Sequence, residues 1–178
     1  MERISLSKVF FAAPWGSLLK GMTLGGTVIL LGLPAYVLYF DKVPPGGPSW
    51  LFYGLPLIYL ITYFFTVRGY EVEGNELRIV RPGWKKVLLL SELSSVEFIP
   101  RAMHCSIRII GNGGLFSFVG NYRNALLGPY KAYVTDFHKT VVLKFPDRTV
   151  VVSPEDPARF HEMLAQAVRS KQTNEQNK

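Results

Sequence analysis

Tyr70-Glu71-Val72-Glu73-Gly74-Asn75-Glu76-Leu77-Arg78-Ile79 is the stretch that decides the fold. Two β-prone runs, 70–72 and 77–80, flank Glu73-Gly74-Asn75-Glu76, whose Gly and Asn tolerate the positive φ of a tight turn. The reading is an antiparallel hairpin. Arg81-Pro82-Gly83 then turns the chain into 84–90, and 93–99, 106–110, 115–119, 130–134, 139–145 and 149–152 read as further strands. Pro146-Asp147-Arg148 joins the last two. Short strands separated by turn residues predict an antiparallel barrel or sandwich.

After the strands the apolar period changes from two to 3.6. Phe160, Met163, Leu164, Ala167 and Val168 fall on one helical stripe, which must be buried against the sheets. Asp156 as N-cap with Pro157 at the first helical position suits the free N–H groups of the first turn. Ser153 as cap, with Asp156 three residues on, is a competing register. Residues 170–178 have no apolar side chain to bury and are expected to be disordered.

Before the hairpin the texture is different. Residues 21–40 carry no charge, and as a helix they would extend ~30 Å, the thickness of a bilayer's hydrocarbon core. A second uncharged run, 49–67, follows a short Pro- and Gly-rich loop. Trp50, Phe52 and Tyr53 near its start and Tyr63, Phe64 and Phe65 near its end would sit at the two headgroup levels. So short a loop permits only an antiparallel helical hairpin. Pro34 and Pro56 read as kinks, and Gly21-x-x-x-Gly25 as close packing within the hairpin. A signal peptide fits worse, because Pro14 breaks the apolar stretch 9–19 and Lys20 follows it.

The chain has 178 residues, with 20 Lys plus Arg against 13 Asp plus Glu, a net charge of +7, and one cysteine. A disulfide scaffold is excluded, since Cys105 has no partner in the chain. Arg3, Lys8 and Lys20 precede the first span, Lys42 alone lies in the loop, and Arg68, Arg78, Arg81, Lys85 and Lys86 follow the second. Cations resist translocation, so both termini are expected on the cytoplasmic side of a bacterial inner membrane. The domains expected are a cytoplasmic segment 1–20, a transmembrane hairpin 21–67 (spans 21–40 and 49–67), a β domain with its helix 68–169, and a tail 170–178.

Two spans, the 70–79 hairpin, a Gly-rich middle and the closing Val152-Ser153-Pro154-Glu155-Asp156-Pro157-Ala158-Arg159-Phe160 resemble the bacterial pleckstrin-homology-like (PH-like) family of membrane-anchored proteins. The similarity covers roughly residues 64–168. It implies a membrane-anchored α+β protein: a two-helix transmembrane hairpin followed by a PH-like roll of two antiparallel sheets, capped by a C-terminal helix. It also implies an interaction or scaffold module with no common catalytic residues.

No catalytic, cofactor-binding or metal site is expected. His104 and Cys105 are adjacent, so in a strand they would point to opposite faces, and no ligand spacing accompanies His138 or His161. Gly111-Asn112-Gly113-Gly114 lacks the residues of a dinucleotide or phosphate loop and reads as a flexible hairpin connection. Two surfaces are candidates. Arg81, Trp84, Lys85 and Lys86 surround one turn near the second span and could meet anionic headgroups. The Gly-bounded loop 120–129, with Tyr122, Arg123, Leu126 and Leu127, could meet a partner. The expected function is a non-enzymatic membrane protein presenting its domain to the bilayer's neighbours: a membrane or cytoplasmic protein, or a second copy of itself. The alternative is an electrostatic sensor of anionic lipid. The basic excess is scattered, and nucleic acid is not an expected partner.

Overall fold

The computed structural model of the chain describes residues 8–40 and 50–176. Among the described residues ten strands form two sheets. The first has the order β1 (Val9–Ala12), β2 (Gly69–Glu73), β3 (Glu76–Arg81), β4 (Trp84–Leu89) and is antiparallel throughout. The second contains β5 (Ser95–Phe98), β6 (Ile107–Gly113), β7 (Phe118–Asn124), β8 (Gly128–Val134), β9 (Val141–Lys144) and β10 (Thr149–Val152), in the order β5-β9-β10-β8-β7-β6. The hairpin of β2 and β3 turns at Gly74, whose φ is +56°.

Three strand expectations are corrected. A strand precedes the helices: β1 pairs with β2, Val9 opposite Val72 and Ala12 opposite Gly69. β10 lies parallel to β8, because after its antiparallel turn from β9 it folds back into the place between β9 and β8. β7 runs to Asn124, not 119. Gly120 is not a breaker there but a residue that lets two backbones approach.

The roll buries two layers. Between the sheets lie Tyr70, Val72, Leu77 and Ile79 on one side and Val141, Leu143, Val150 and Val152 on the other, closed by Phe160 and Leu164 of α4 (Pro157–Gln176). The opposite face of the six-stranded sheet is covered too: Leu19, Ala102 and Met103 pack on Phe118, Tyr122, Tyr130, Val142 and Val151. Strand β10 is therefore buried on both faces, and Val150-Val151-Val152 reads as a continuous apolar run. Tyr70 ties the sheets together. Its hydroxyl donates to the Tyr133 carbonyl at 2.6 Å and accepts from the Ser153 N–H at 2.9 Å. Complete burial pushes its pKa up to about 12.

The expected tail is helical backbone from residue 170 to Gln176, so α4 outlasts its apolar stripe; Lys171, Gln172 and Glu175 are good helix formers that prolong a helix already nucleated. Asp156 caps its start, its Oδ1 accepting from the Arg159 N–H at 3.0 Å.

The N-terminal helix begins earlier than expected. α1 (Ser17–Thr27) passes through a π turn, Val28–Gly32, into α2 (Leu33–Tyr39). Pro34 lacks an N–H and its ring crowds the carbonyl four residues back, which accounts for irregular bonding there. As a continuous helix, Ser17–Tyr39 has 23 residues and is long and apolar enough to cross a membrane. The second helix, α3 (Trp50–Phe64), has 15 residues and carries Pro56 without interruption. One helix of spanning length is thus present among the described residues rather than the expected pair, because the chain leaves α3 at Phe64 to enter the sheet. Gly21 and Gly25 face open space, so they do not pack the hairpin; Gly26 instead lies against Leu115.

Candidate functional site

The link between β6 and β7 is not the flexible connection expected. It is wedged between the two helices. Thr23 of α1 accepts from the Phe116 N–H at 3.0 Å and donates to the Gly114 carbonyl at 3.3 Å. Phe116, at a φ of +65°, puts its ring 5.0 Å from Tyr59 and 5.6 Å from Tyr63 of α3. Thr27 and Tyr59 share a hydroxyl bond of 3.1 Å just above. At the end of α3 the orphan carbonyls of Phe64 and Phe65 accept from the Trp84 indole at 3.3 Å and the Ser117 hydroxyl at 3.2 Å. Both helices are therefore docked on the β domain by their ends nearest to it.

Beside this junction is a cavity of about 720 Å³. Ile61 of the last turn of α3 and Phe65 just beyond it line one side, and Arg81 at the end of β3 with Trp84 and Lys86 of β4 line another. Arg108 of β6 and Lys131 of β8 complete a set of four cations among the described residues, none of whose carboxylates lines the space. Gly111 and Gly120, opposite one another in β6 and β7, form part of its wall, where their lack of side chains lets the two backbones approach closely.

Arg81 is the unusual member. Leu77, Ile79 and Arg81 form the inward row of β3, so an arginine sits where the alternation demands an apolar residue, only 5 % exposed. Its guanidinium carbon lies 4.3 Å from the Trp84 ring centroid and 5.1 Å from that of Tyr133. Its Nε has no hydrogen-bond partner. Burial lowers its pKa, and only the Tyr133 hydroxyl opposes this. Among the described residues none of the four cavity cations is in an ion pair.

The sequence model of the family described as "Bacterial PH domain" matches residues 68–168. The chain belongs to that family. No curated protein and no solved structure matches the chain. PH domains are typically non-catalytic binding modules, so the residues above are read for binding. Among the described residues no group of three His, Cys, Asp or Glu could hold a metal ion. His104 and Cys105 lie in a turn rather than a strand, and contrary to the expectation they touch, Nδ1 to Sγ at 3.1 Å.

Within this PH domain the four residues of the expected basic turn separate. Trp84 and Lys86 line the cavity with Arg81, whereas Lys85, on the alternate face of β4, bonds the buried Glu71 at 3.2 Å. Lys8 and Arg78 reach the same carboxylate at 3.4 Å. Burial would raise the Glu71 carboxyl, but Lys85 and Lys8 outweigh it and hold the group below its usual range. A depressed folded pKa contributes stability that is present above the unfolded value and lost as pH falls through the folded one. Glu71→Gln is therefore expected to flatten the decline in melting temperature as pH falls through and below the ordinary carboxylate range. Equal acid sensitivity of the two proteins would exclude Glu71 as the source.

The expected partner loop also divides. Tyr122 is a buried strand residue whose hydroxyl donates to the Asn112 carbonyl at 2.8 Å, and burial pushes its pKa up to about 12. Leu127 packs partly on the second core layer, while Arg123 and Leu126 are exposed. Only a short turn, between Asn124 and Gly128, projects. Arg108 and Lys131 were not foreseen as site residues. Their strands are separated by β7, and nothing local in the sequence brings them together.

Proposed function

We propose that the protein is a non-catalytic PH-domain module held at a bacterial inner membrane by a two-helix hairpin, with both termini and the β domain on the cytoplasmic side. The pairing of β1 with β2 carries this reading. Residues before and after the helices lie in one sheet, so the intervening segment crosses a bilayer twice or not at all. The outer flanks favour twice: Leu24, Val28, Ile29, Leu33 and Leu38 on the first helix and Leu57, Ile58, Leu60 and Ile61 on α3 are 49–68 % exposed. Being about half exposed, each such side chain would gain roughly half of the ~1.5–3 kcal/mol that full transfer from water gives.

The lengths agree as well. Leu19 and Thr23 are taken up by the β domain, so residues 24–39 remain for lipid, about 24 Å at ~1.5 Å per residue. α3 extends about 22 Å. The two lengths match one another, and a bilayer locally thinned around them accommodates both. Lys20 and Arg68, at the two helix ends nearest the domain, fit the cytoplasmic side.

The contact surface we favour is β6, an edge of the six-stranded sheet on which Ile107, Ile109 and Ile110 are exposed. An apolar unpaired edge accepts a strand from another protein or a second copy, and the anchor raises the effective concentration of any partner in the same membrane. The test combines carbonate extraction, a reporter fused to the carboxyl end, and a photo-crosslinking residue at position 109 in intact cells. We expect retention in the membrane pellet, a cytoplasmic reporter and a crosslinked adduct. Release into the soluble fraction or an external reporter overturns the anchor; an absence of any adduct overturns the edge.

A further inference from the structure

Among the described residues, β6 is the sheet border left without a guard. β5, at the other end of the same sheet, is overlaid by α4, whose His161 Nε2 lies 3.2 Å from the Val96 carbonyl. In the four-stranded sheet β1 has only four residues and β4 carries Lys85-Lys86; short length and lysine both discourage an incoming strand. β6 has seven residues, Ile107–Gly113, with neither lysine nor proline. Its Ile107, Ile109 and Ile110 are 62–75 % exposed. Pairing to β7 resumes at Ile110–Asn121 beyond the bulge between Arg108 and Ile110, so the bulge does not end the strand.

The charge around this border decides what kind of chain fits it. Residues 98–135, which include β6, β7 and β8, contain Arg101, Arg108, Arg123 and Lys131 and not one Asp or Glu, although the chain has 13 acidic residues. Arg108 lies in β6 itself and Arg123 stands opposite Ile107; both are exposed. A strand bearing Asp or Glu would meet opposite charge here, and its aliphatic residues would cover the isoleucines. A second copy fits badly. Two β6 strands paired antiparallel about their isoleucines would bring the Arg108 and Arg123 of both chains into one cluster with no carboxylate between them. Lipid fits badly too, because the backbone N–H and C=O groups along an open edge need hydrogen-bonding partners that acyl chains lack.

We propose that β6 is the docking edge for an extended acidic segment of another protein, one that alternates Asp or Glu with aliphatic residues and adds to the six-stranded sheet as a seventh strand. Main-chain hydrogen bonds hold the segment, and Arg108 and Arg123 select its charge. The strand offers ~20 Å from Gly113, at the link held by the helices, to Ile107, so a segment of about seven residues fills it. The proposal rests on the reading of β6 as the contact edge and goes beyond it in naming the partner's chemistry; it does not depend on the anchor.

The full chain in neutral detergent is mixed with three labelled peptides of about ten residues: valine alternating with glutamate, valine alternating with lysine, and the glutamate peptide with its amide nitrogens methylated. Fluorescence anisotropy gives the affinities, and amide hydrogen exchange reads residues 107–113. We expect the glutamate peptide to bind about tenfold or more tighter than the lysine peptide and to slow exchange along β6, and the methylated peptide not to bind. Arg108→Glu with Arg123→Glu, both exposed, is expected to reverse the preference. Arg108→Gln with Arg123→Gln is expected to narrow it to about threefold or less, and keeps the test decisive if the reversal folds poorly. Equal binding of the two charged peptides, or binding of the methylated one, overturns the proposal. Slowed exchange that grows with protein concentration in the absence of peptide overturns it in favour of a second copy, and slowed exchange with phosphatidylglycerol alone overturns it in favour of lipid. A crosslinked adduct at position 109 in cells, with no charge preference among the peptides, would leave the contact edge standing and remove its acidic partner.

Discussion

Replacing Phe160 with alanine is expected to destabilise the protein by about 3–5 kcal/mol, the largest loss at any single side chain described above. Phe160 is fully buried, edge-on to Phe11 of β1 at 5.1 Å and tilted against Tyr70 of β2 at 6.0 Å. It is where α4 grips the four-stranded sheet beside the Tyr70 hydroxyl that bonds the other sheet. Truncation opens a cavity that a helix, a strand and a tyrosine would all have to close. Thermal unfolding of the full chain in detergent measures it, and a fall of only a degree or two would show that α4 is held mainly by Leu164 and its neighbours.

Gly120→Ala is expected to cost roughly 2–5 kcal/mol through a different cause. A Cβ at Gly120 would lie 2.2 Å from the Ile110 carbonyl oxygen and 2.7 Å from the Gly111 Cα, and its φ is +148°. No rotamer relieves a clash with backbone. The β6–β7 pairing must open, and with it the floor of the cationic cavity. Gly74→Asn is the control: its φ is +56°, a Cβ there meets nothing within 4 Å, and Asn visits that conformation readily. If the two substitutions lower the melting temperature equally, the close approach of Gly111 and Gly120 is not what holds β6 in place.

What could be read from the sequence is what depends on neighbours in the chain. The β2–β3 hairpin was legible because its turn and its alternation lie within a dozen residues, and α4 because Phe160, Leu164 and Val168 repeat at helical spacing. Strand β1 was not, since Val-Phe-Phe-Ala is too short to show a period and its partner is the far side of two helices. The exposed basic turn failed for a related reason. Alternation from Leu77 through Ile79 already places Arg81 inside, but a cation in that row is intelligible only once Trp84 and Tyr133 are seen against it. Gly120 was misread because a glycine that breaks a strand and one that permits close approach look alike in a single sequence. Thr23 and Phe116 gave no signal, being joined across 93 residues.

The β1–β2 pairing also constrains how the molecule is made. Val9 and Val72 meet only after both helices have left the ribosome, so the first four-residue strand waits unpaired until then and, with the anchor proposed above, while the hairpin would be entering the bilayer. A chain whose amino end is carried to the wrong side leaves β2 with a bare border and Phe160 without the ring of Phe11. Closure of the sheet would thus report, in a single strand pairing, whether the two ends had come to the same side.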